Sequence, residues 1–248
     1  MKRFLRGAGA AAFWLAVWEG IYLLVGKAVL VPSPLSVALK IAELCAEKAF
    51  WLSVLTSLSR VALGFILGTA LGMLFAVLTA KSPVLKSLLS PLLHTVKATP
   101  VASFIILAVI WLSVGKVPVL TALLVVLPGV WANVESGILS VDPKLIEMGK
   151  AFKMTKRDIF FKIEIPSVKP FFLAAVNSAM GMAWKAGIAA EVICPYKYSI
   201  GTALHDSKIY LETTELFAWT AVTVILSVLL EKLVLSVVRK GGSSRAQV

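Results

Sequence analysis

Two ionisable residues lie within a long apolar stretch in the last third of the chain. Lys185 and Glu191 are six residues apart in the apolar segment 171–193, and Trp184 precedes the lysine. A charged group at the centre of a bilayer costs about 2.5–3.5 kcal/mol, so each of the two needs a polar partner or a charged solute. Lys185 is therefore a candidate contact for an anionic solute. Glu191 is either a second contact on the same path or a structural partner of Arg60.

Other polar residues in apolar segments are further candidates for the lining of a solute path. Arg60 lies in the segment 52–79, and Asn133 and Asn177 lie in two later segments. The alternative is that such side chains pair across helices or hold them together, which is the commoner role of polar residues inside helix bundles. The predicted path residues are Arg60, Asn133, Asn177, Trp184, Lys185 and Glu191.

No sequence pattern for catalysis accompanies these charges. The chain has no H-E-x-x-H motif, no G-x-S-x-G motif and no phosphate loop of the form G-x-x-x-x-G-K-[ST], so it cannot bind ATP in that way. His94 and His205 each lack a second ligand at suitable spacing, and we predict no metal site. Cys45 and Cys194 form no C-x-x-C motif. Two buried free thiols are predicted, with a disulfide between them as the alternative.

The elements that position these residues follow from composition. Of 248 residues, 59% are hydrophobic and only 15% are charged, whereas about a quarter are charged in soluble domains. The apolar residues form long blocks, and a span needs roughly 20 of them to cross the hydrocarbon as a helix. We predict an all-α membrane protein, one domain over residues 1–248, with six transmembrane helices. The spans are approximately 8–26, 52–79, 99–114, 118–138, 171–193 and 215–238.

The net charge of +12 predicts an orientation in the membrane, because no RNA-binding motif accompanies it. With both termini in the cytoplasm, sixteen of the 25 Lys and Arg residues fall in inner segments and six in outer ones, which satisfies the positive-inside rule. The N-terminal apolar run is long enough to span; a cleaved signal peptide is the alternative. Residues 27–51 are predicted to form an outer amphipathic segment whose helix is capped by Ser33 and begins at Pro34.

Three glycines recur at intervals of four residues in the second predicted span. Gly64, Gly68 and Gly72 share one helix face, so another helix can approach this face closely. We interpret the face as helix packing within the subunit, with pairing of two subunits as the alternative.

The basic segment 139–170 is predicted to be a cytoplasmic loop that contains two short helices. An Asp-Pro pair at 142–143 starts the first helix, and Thr155 with Asp158 resembles a capping box that starts the second. A break near Lys153 separates them. Large apolar residues among basic ones, in a loop too polar for lipid, are typical of a surface that docks in a partner's groove. A loop that only anchors topology is the alternative.

The spacing in this loop resembles the EAA loop of ABC importer permeases. That pattern is E-A-A, three residues, glycine, nine residues and I-x-L-P. Glu147, Ile163 and Pro166 fall at the expected positions. Gly149 replaces the second alanine, and Lys153 replaces the glycine that relieves left-handed strain at a helix end. A strained turn or a different helix end is therefore expected at Lys153.

Shorter stretches along nearly the whole chain are similar to the nitrate, sulfonate and taurine type of these permeases. They are Pro-Ser-Pro at 32–34, Leu-Ser-Arg-Val at 58–61, Ala-Thr-Pro at 98–100, the stretch 183–191 and Ile-Gly at 200–201. The resemblance implies a type I ABC importer permease in the cytoplasmic (inner) membrane. It also implies a permease homodimer, ABC ATPase subunits inside that bind ATP and Mg, an extracytoplasmic substrate-binding protein, and no cofactor in this chain.

The resemblance assigns the coupling to the ATPase to residues of the loop. These are Glu147, Gly149, Phe152, Lys153, Met154, Thr155, Ile159, Phe160, Ile163 and Pro166.

The predicted function is ATP-driven import of a small solute by alternating access, with this chain as the transmembrane subunit. An autonomous proton-coupled transporter that uses Lys185 and Glu191 is the alternative, although such proteins usually contain internal repeats that we do not find here. The lysine favours an anionic solute; which solute is left open.

Overall fold

The computed structural model describes the backbone of residues 2–243 and the side chains of residues 9–236. Within them all regular structure is helical and no strand is present, which confirms the predicted all-α class. The basic residues at 2, 3, 6, 239, 240 and 245, which contributed to the predicted orientation, lie outside the described side chains. The helices are α1 (Lys2–Val25), α2 (Pro34–Ala46), α3 (Lys48–Lys81), α4 (Pro83–Ala98), α5 (Val101–Trp111), α6 (Val117–Leu139), α7 (Pro143–Ala151), α8 (Lys156–Ile159), α9 (Ile165–Ile193), α10 (Ile200–Ile209) and α11 (Thr213–Ser243).

Three of the described helices are long and apolar enough to cross a membrane, namely α3, α6 with its preceding turn, and α11. The helices α4 and α5 are bent by 104° at their junction and count as a fourth span only if they are taken together. The predicted third span is shorter than expected, because α5 has 11 residues and reaches only about 16 Å at 1.5 Å per residue. The helix α1 contributes the shorter apolar stretch Gly9–Val25.

One compact unit contains residues Met1–Ser57 and Glu191–Leu226. In it, Ser33 caps α2 as predicted, since its hydroxyl accepts a hydrogen bond from the Ser36 N–H at 3.1 Å and Pro34 opens the helix. The indole of Trp18 in α1 donates to the Pro32 carbonyl at 3.1 Å. The cysteines of this unit, Cys45 and Cys194, are free thiols. Cys194 is buried as predicted, whereas Cys45 is only half-buried.

The other compact unit contains residues Leu58–Ala190 and Ser227–Val248. Its α3 packs on α6 through the three glycines. A Cβ added at Gly68 would lie 2.7 Å from the Leu123 carbonyl oxygen, and one added at Gly72 would lie 2.9 Å from the Leu127 carbonyl oxygen. Gly64 meets the backbone of α6 in the same way. The glycine face is therefore filled by a helix of the same subunit, as predicted, and is not free for subunit pairing.

Two polar contacts reinforce this unit. The buried Trp131 indole donates to the Thr79 hydroxyl at 3.0 Å, so neither group lacks a partner inside the bundle. Near the loop end of α6, Lys86 of α4 and Glu135 form a salt bridge at 3.1 Å. Both pairs join helices that are separate in sequence, which is the usual function of polar residues between packed helices.

We predict that Gly68→Val destabilises the subunit, because the new side chain would displace the backbone of α6. Overpacking of this kind costs typically 1–3 kcal/mol. The matched control is Gly129→Ala, since a Cβ at Gly129 meets nothing within 4 Å. Thermal unfolding of both variants in detergent tests the contact, and equal melting temperatures would contradict it.

Candidate functional site

The helix α7 begins and ends as the sequence predicts. The Asp142 carboxylate accepts a hydrogen bond from the Lys144 N–H at 2.9 Å, and Pro143 occupies the first helical position. At the other end, Lys153 has a φ of 55°, the left-handed region in which glycine is normally found. The Met154 N–H bonds to the Gly149 carbonyl at 3.0 Å and the Lys153 N–H to the Lys150 carbonyl at 2.9 Å. This pair of bonds is a Schellman motif with lysine at the glycine position.

The short helix α8 begins at the predicted capping box. The Thr155 hydroxyl accepts from the Asp158 N–H at 3.1 Å, and it also bonds to the Asp158 carboxylate at 2.6 Å. Hydrogen bonds from Lys162 and then from Thr155, together with the charge of Lys162, lower the pKa of Asp158 to about 2. The contribution of this carboxylate to the stability of the loop is therefore complete above its ordinary pKa near 4. It is lost only as the pH falls toward 2.

The helices α7 and α8 pack on each other at Gly149, which is buried. A Cβ at this position would lie 3.1 Å from the Ile163 side chain, 3.2 Å from that of Ile159 and 3.4 Å from the Met154 sulfur. A residue no larger than alanine is thus required, which explains why a small residue stands at this place in the E-A-A pattern. Ile159 is only 7% exposed, so it holds the loop together from inside.

A π turn joins the loop to α9. It covers Phe160–Glu164, and its closing bond runs from the Ile165 N–H to the Phe160 carbonyl. Pro166, two residues after the turn ends, has no N–H to donate. A π turn adds one residue to the helix and occurs often at functional sites. It continues the chain from the loop into the long helix that carries Lys185.

The outer surface of the loop contains an apolar ridge, in which the predicted coupling residue Phe152 is joined by two residues that the sequence analysis did not single out. Leu145, Met148 and Phe152 are 40%, 48% and 76% exposed, and their spacing of three and four residues places them on one face of α7. Lys150, Lys153, Lys156 and Arg157 are exposed around this ridge. The helical spacing was the signal that could have identified it. We call Leu145, Met148 and Phe152 the coupling ridge.

The predicted path residues separate into exposed and buried groups. Asn177 and Lys185 are exposed on α9, on the face that also exposes Ala174, Met182 and Ala189. In contrast, Trp184 is fully buried. Asn133 is exposed, but its amide donates to the Gly129 carbonyl of its own helix at 2.8 Å. Arg60 is half-buried.

Glu191 is fully buried and holds the start of α10. Its carboxylate accepts from the Ser57 hydroxyl at 2.6 Å and from the Gly201 N–H at 3.2 Å. The same hydroxyl accepts from the Ile200 N–H at 2.9 Å. An anion at a helix N-terminus is stabilised by the helix dipole. Gly201 must be glycine, because a Cβ there would collide with Glu191, so this carboxylate is enclosed between Ser57 and the first turn of α10.

The sequence analysis also missed two charges inside apolar segments. Glu135 lies in α6, where it pairs with Lys86. Glu231 lies in α11, and its carboxylate covers Gly181 of α9 so closely that a Cβ there would be 2.5 Å from its oxygen. The signal in both cases was the carboxylate itself, since an ionisable residue in a span indicates a specific partner or function.

Comparison with known proteins identifies the class. Residues 68–240 match the family of binding-protein-dependent transport system inner membrane components, and the chain belongs to this family. It is 27% identical over 96% of its length to a putative aliphatic sulfonates transport permease protein of Bacillus subtilis, of which it covers 88%. It is 23% identical over 90% of its length to the taurine transport system permease protein of Escherichia coli, of which it covers 83%.

Solved structures share the fold. A bacterial ABC transporter involved in the import of the acidic polysaccharide alginate superposes with a TM-score of 0.66 at 13% identity, over 96% of this chain and 98% of the other. A methionine ABC transporter in an inward-facing conformation gives 0.59 at 16% identity, over 77% and 93%. The chain is a permease subunit of an ABC importer, a multi-pass protein of the inner membrane whose family works with an ATPase and a substrate-binding protein. The alternative of an autonomous transporter is not supported.

We predict that Lys153→Gly tightens the turn after α7. Removing Cβ from a left-handed residue relieves about 1 kcal/mol of strain, which corresponds to roughly five-fold slower exchange of the Met154 amide that closes the turn. Hydrogen exchange followed by mass spectrometry measures this amide in the whole complex. Lys153→Ala keeps Cβ and should exchange like the unmodified chain. Faster exchange in the glycine variant would show that the turn is not strained.

Proposed function

We propose that two copies of this chain form the membrane part of the importer, each with six spans and both termini in the cytoplasm. The positions of α1, α3, α5, α6, α9 and α11 support this topology, because each coincides with one predicted span. Two ATPase subunits bind ATP and Mg on the cytoplasmic side, and hydrolysis occurs there. The permease contributes the path and the contact through which the ATPase moves it.

The main observation in support of a contact with the ATPase is the coupling ridge. Phe152 is a large aromatic residue that is 76% exposed at the end of α7. Together with Leu145 and Met148 it forms an exposed apolar patch of the kind that marks protein–protein contacts. An amphipathic helix with anchors at positions i, i+3 and i+7 is a common means of docking in a hydrophobic groove. We assign the ridge to a groove of the ATPase subunit, with the surrounding basic residues at its rim.

The loop is built to transmit movement as one piece. Gly149, Ile159 and Ile163 fasten α7 to α8 and to the π turn, so a displacement of the coupling ridge displaces the start of α9. In the proposed cycle, ATP binding closes the ATPase dimer and moves the loop as a lever, so that the bundle opens outward. Hydrolysis then restores the inward-facing state, which is alternating access driven from the cytoplasmic side.

We predict that Phe152→Ala weakens the association with the ATPase at least about ten-fold, since a buried aromatic anchor is usually a hot spot of an interface. Co-purification and titration with the ATPase subunit measure it. Trp111→Ala is the matched control, because Trp111 is equally exposed, at 75%, but lies outside the loop. An unchanged affinity in the Phe152 variant would remove the ridge from the ATPase contact.

For the substrate we propose a small anionic solute. The relatives include permeases named for aliphatic sulfonates, taurine, nitrate and bicarbonate. In this chain Lys185 supplies a positive charge on the exposed face of α9, with Asn177 two turns away on the same helix. A cation is held within a span only at a cost, and an anionic solute on the path offsets that cost.

We predict that Lys185→Met lowers the uptake of an anionic solute at least about ten-fold while the association with the ATPase is retained, because methionine preserves the bulk and removes the charge. Uptake into proteoliposomes that contain the whole transporter measures it. Lys185→Arg keeps the charge and should retain most uptake. Unchanged uptake in the methionine variant would exclude the lysine from the path.

A further inference from the structure

The turn between α10 and α11 exposes three large apolar side chains. Ile209, Tyr210 and Leu211 are 58%, 74% and 73% exposed. The helix α9, of 29 residues, separates this turn from the cytoplasmic loop, which places the turn on the outer side in the proposed topology. We call these three residues the outer knuckle.

The outer knuckle is held rigidly in a strained conformation. Leu211 has a φ of 57°, where a leucine is unfavourable. The Glu212 N–H bonds to the Ser207 carbonyl at 2.9 Å, and the Thr213 hydroxyl bonds to the Val29 carbonyl at 2.5 Å. Nothing in the described contacts requires a leucine here, whereas glycine would relieve the strain. A fixed, exposed apolar projection has little ordering entropy left to lose on binding.

A cavity of about 220 Å³ lies beside the outer knuckle, and Tyr210 contributes to its wall. Phe50 and Trp219 form part of its lining, with ring centroids 5.0 Å apart. Carboxylates surround it, and no lysine or arginine is among its lining residues within the described part of the chain. The four carboxylates are those of Glu47, Asp206, Glu212 and Glu215.

Most of this negative charge is not neutralised. Glu215 pairs with Lys40 at 3.5 Å, but Glu47, Asp206 and Glu212 form no ion pair with any side chain in residues 9–236. The chain as a whole carries a net charge of +12, so an acidic opening on its outer side is a local feature. A cavity lined by carboxylates suits a lysine or arginine side chain, which can form charge-assisted hydrogen bonds with them.

We propose that this surface is the docking site of the extracytoplasmic substrate-binding protein. The outer knuckle inserts into an apolar notch on that protein, and a lysine or arginine of the protein enters the acidic cavity. The partner follows from the family, whose members are binding-protein-dependent, and the basic character of its contact follows from the charge of the cavity. The inference rests on the proposed function for its partner and its orientation.

The test uses the whole transporter with its ATPase subunits in lipid nanodiscs and the importer's own purified binding protein. Two double variants alter the two parts of the surface: Tyr210→Ala with Leu211→Gly removes the two most exposed side chains of the outer knuckle, and Asp206→Asn with Glu212→Gln removes two of the three charges of the cavity that are unpaired within residues 9–236. Each is expected to weaken binding of the binding protein at least about ten-fold. The ATPase activity measured without binding protein should be unchanged.

Three controls separate docking from folding. Leu211→Gly alone should bind more weakly but melt no lower than the unmodified transporter, because glycine suits the left-handed position. Glu43→Gln removes an exposed carboxylate that does not line the cavity, and Leu35→Ala removes an apolar residue that is 69% exposed on α2; both should bind normally. The affinity of the unmodified transporter should also fall with added salt more steeply than that of the neutralised variant.

The outcomes distinguish failure of the docking site from failure of the proposed function. Affinities within about two-fold of the unmodified transporter in both double variants would overturn the docking site while leaving the importer function intact. Failure of the ATPase subunit to associate with the unmodified chain would instead contradict the proposed function itself.

Discussion

Hydrocarbon supplies no hydrogen bonds, and this absence determines much of the structure. Every polar group that enters the bundle must find its partner in the protein. Trp131 therefore donates to Thr79, and Glu191 accepts from Ser57 and from the first turn of α10. Lys185 is the contrasting case, because it is exposed on α9. A charge that the protein leaves exposed in such surroundings is a reason to look for a solute.

The chain exposes two different apolar surfaces, and each consists of a short helix that ends in a left-handed residue. In the coupling ridge Phe152 precedes Lys153, and in the outer knuckle Tyr210 precedes Leu211. In each case a Schellman motif fixes the turn and an exposed aromatic residue lies at its edge. The coupling ridge is surrounded by basic residues and the outer knuckle by carboxylates, so the two are suited to different partners.

Local features of the structure could be predicted from the sequence because they depend on neighbouring residues. The caps at Ser33, Asp142 and Thr155 and the turn at Lys153 are examples, since each involves residues no more than five positions apart. The contact of Gly201 with Glu191 could not be predicted, because it depends on how the chain returns after α9. The bend between α4 and α5 was missed for a similar reason: composition records apolarity and not direction. The six predicted spans coincide with helices, but α5 is too short to cross the hydrocarbon by itself.

The π turn at Phe160–Glu164 makes the number of residues in this region as important as their identity. Each residue in a helix turns the chain by about 100°, so the deletion of a single residue from the turn would rotate the coupling ridge about the axis of α9. The ridge would keep every side chain and every cap, yet it would face a different direction. Insertions and deletions between Gly149 and Pro166 are therefore expected to be tolerated far less well than substitutions on the exposed side of the same segment.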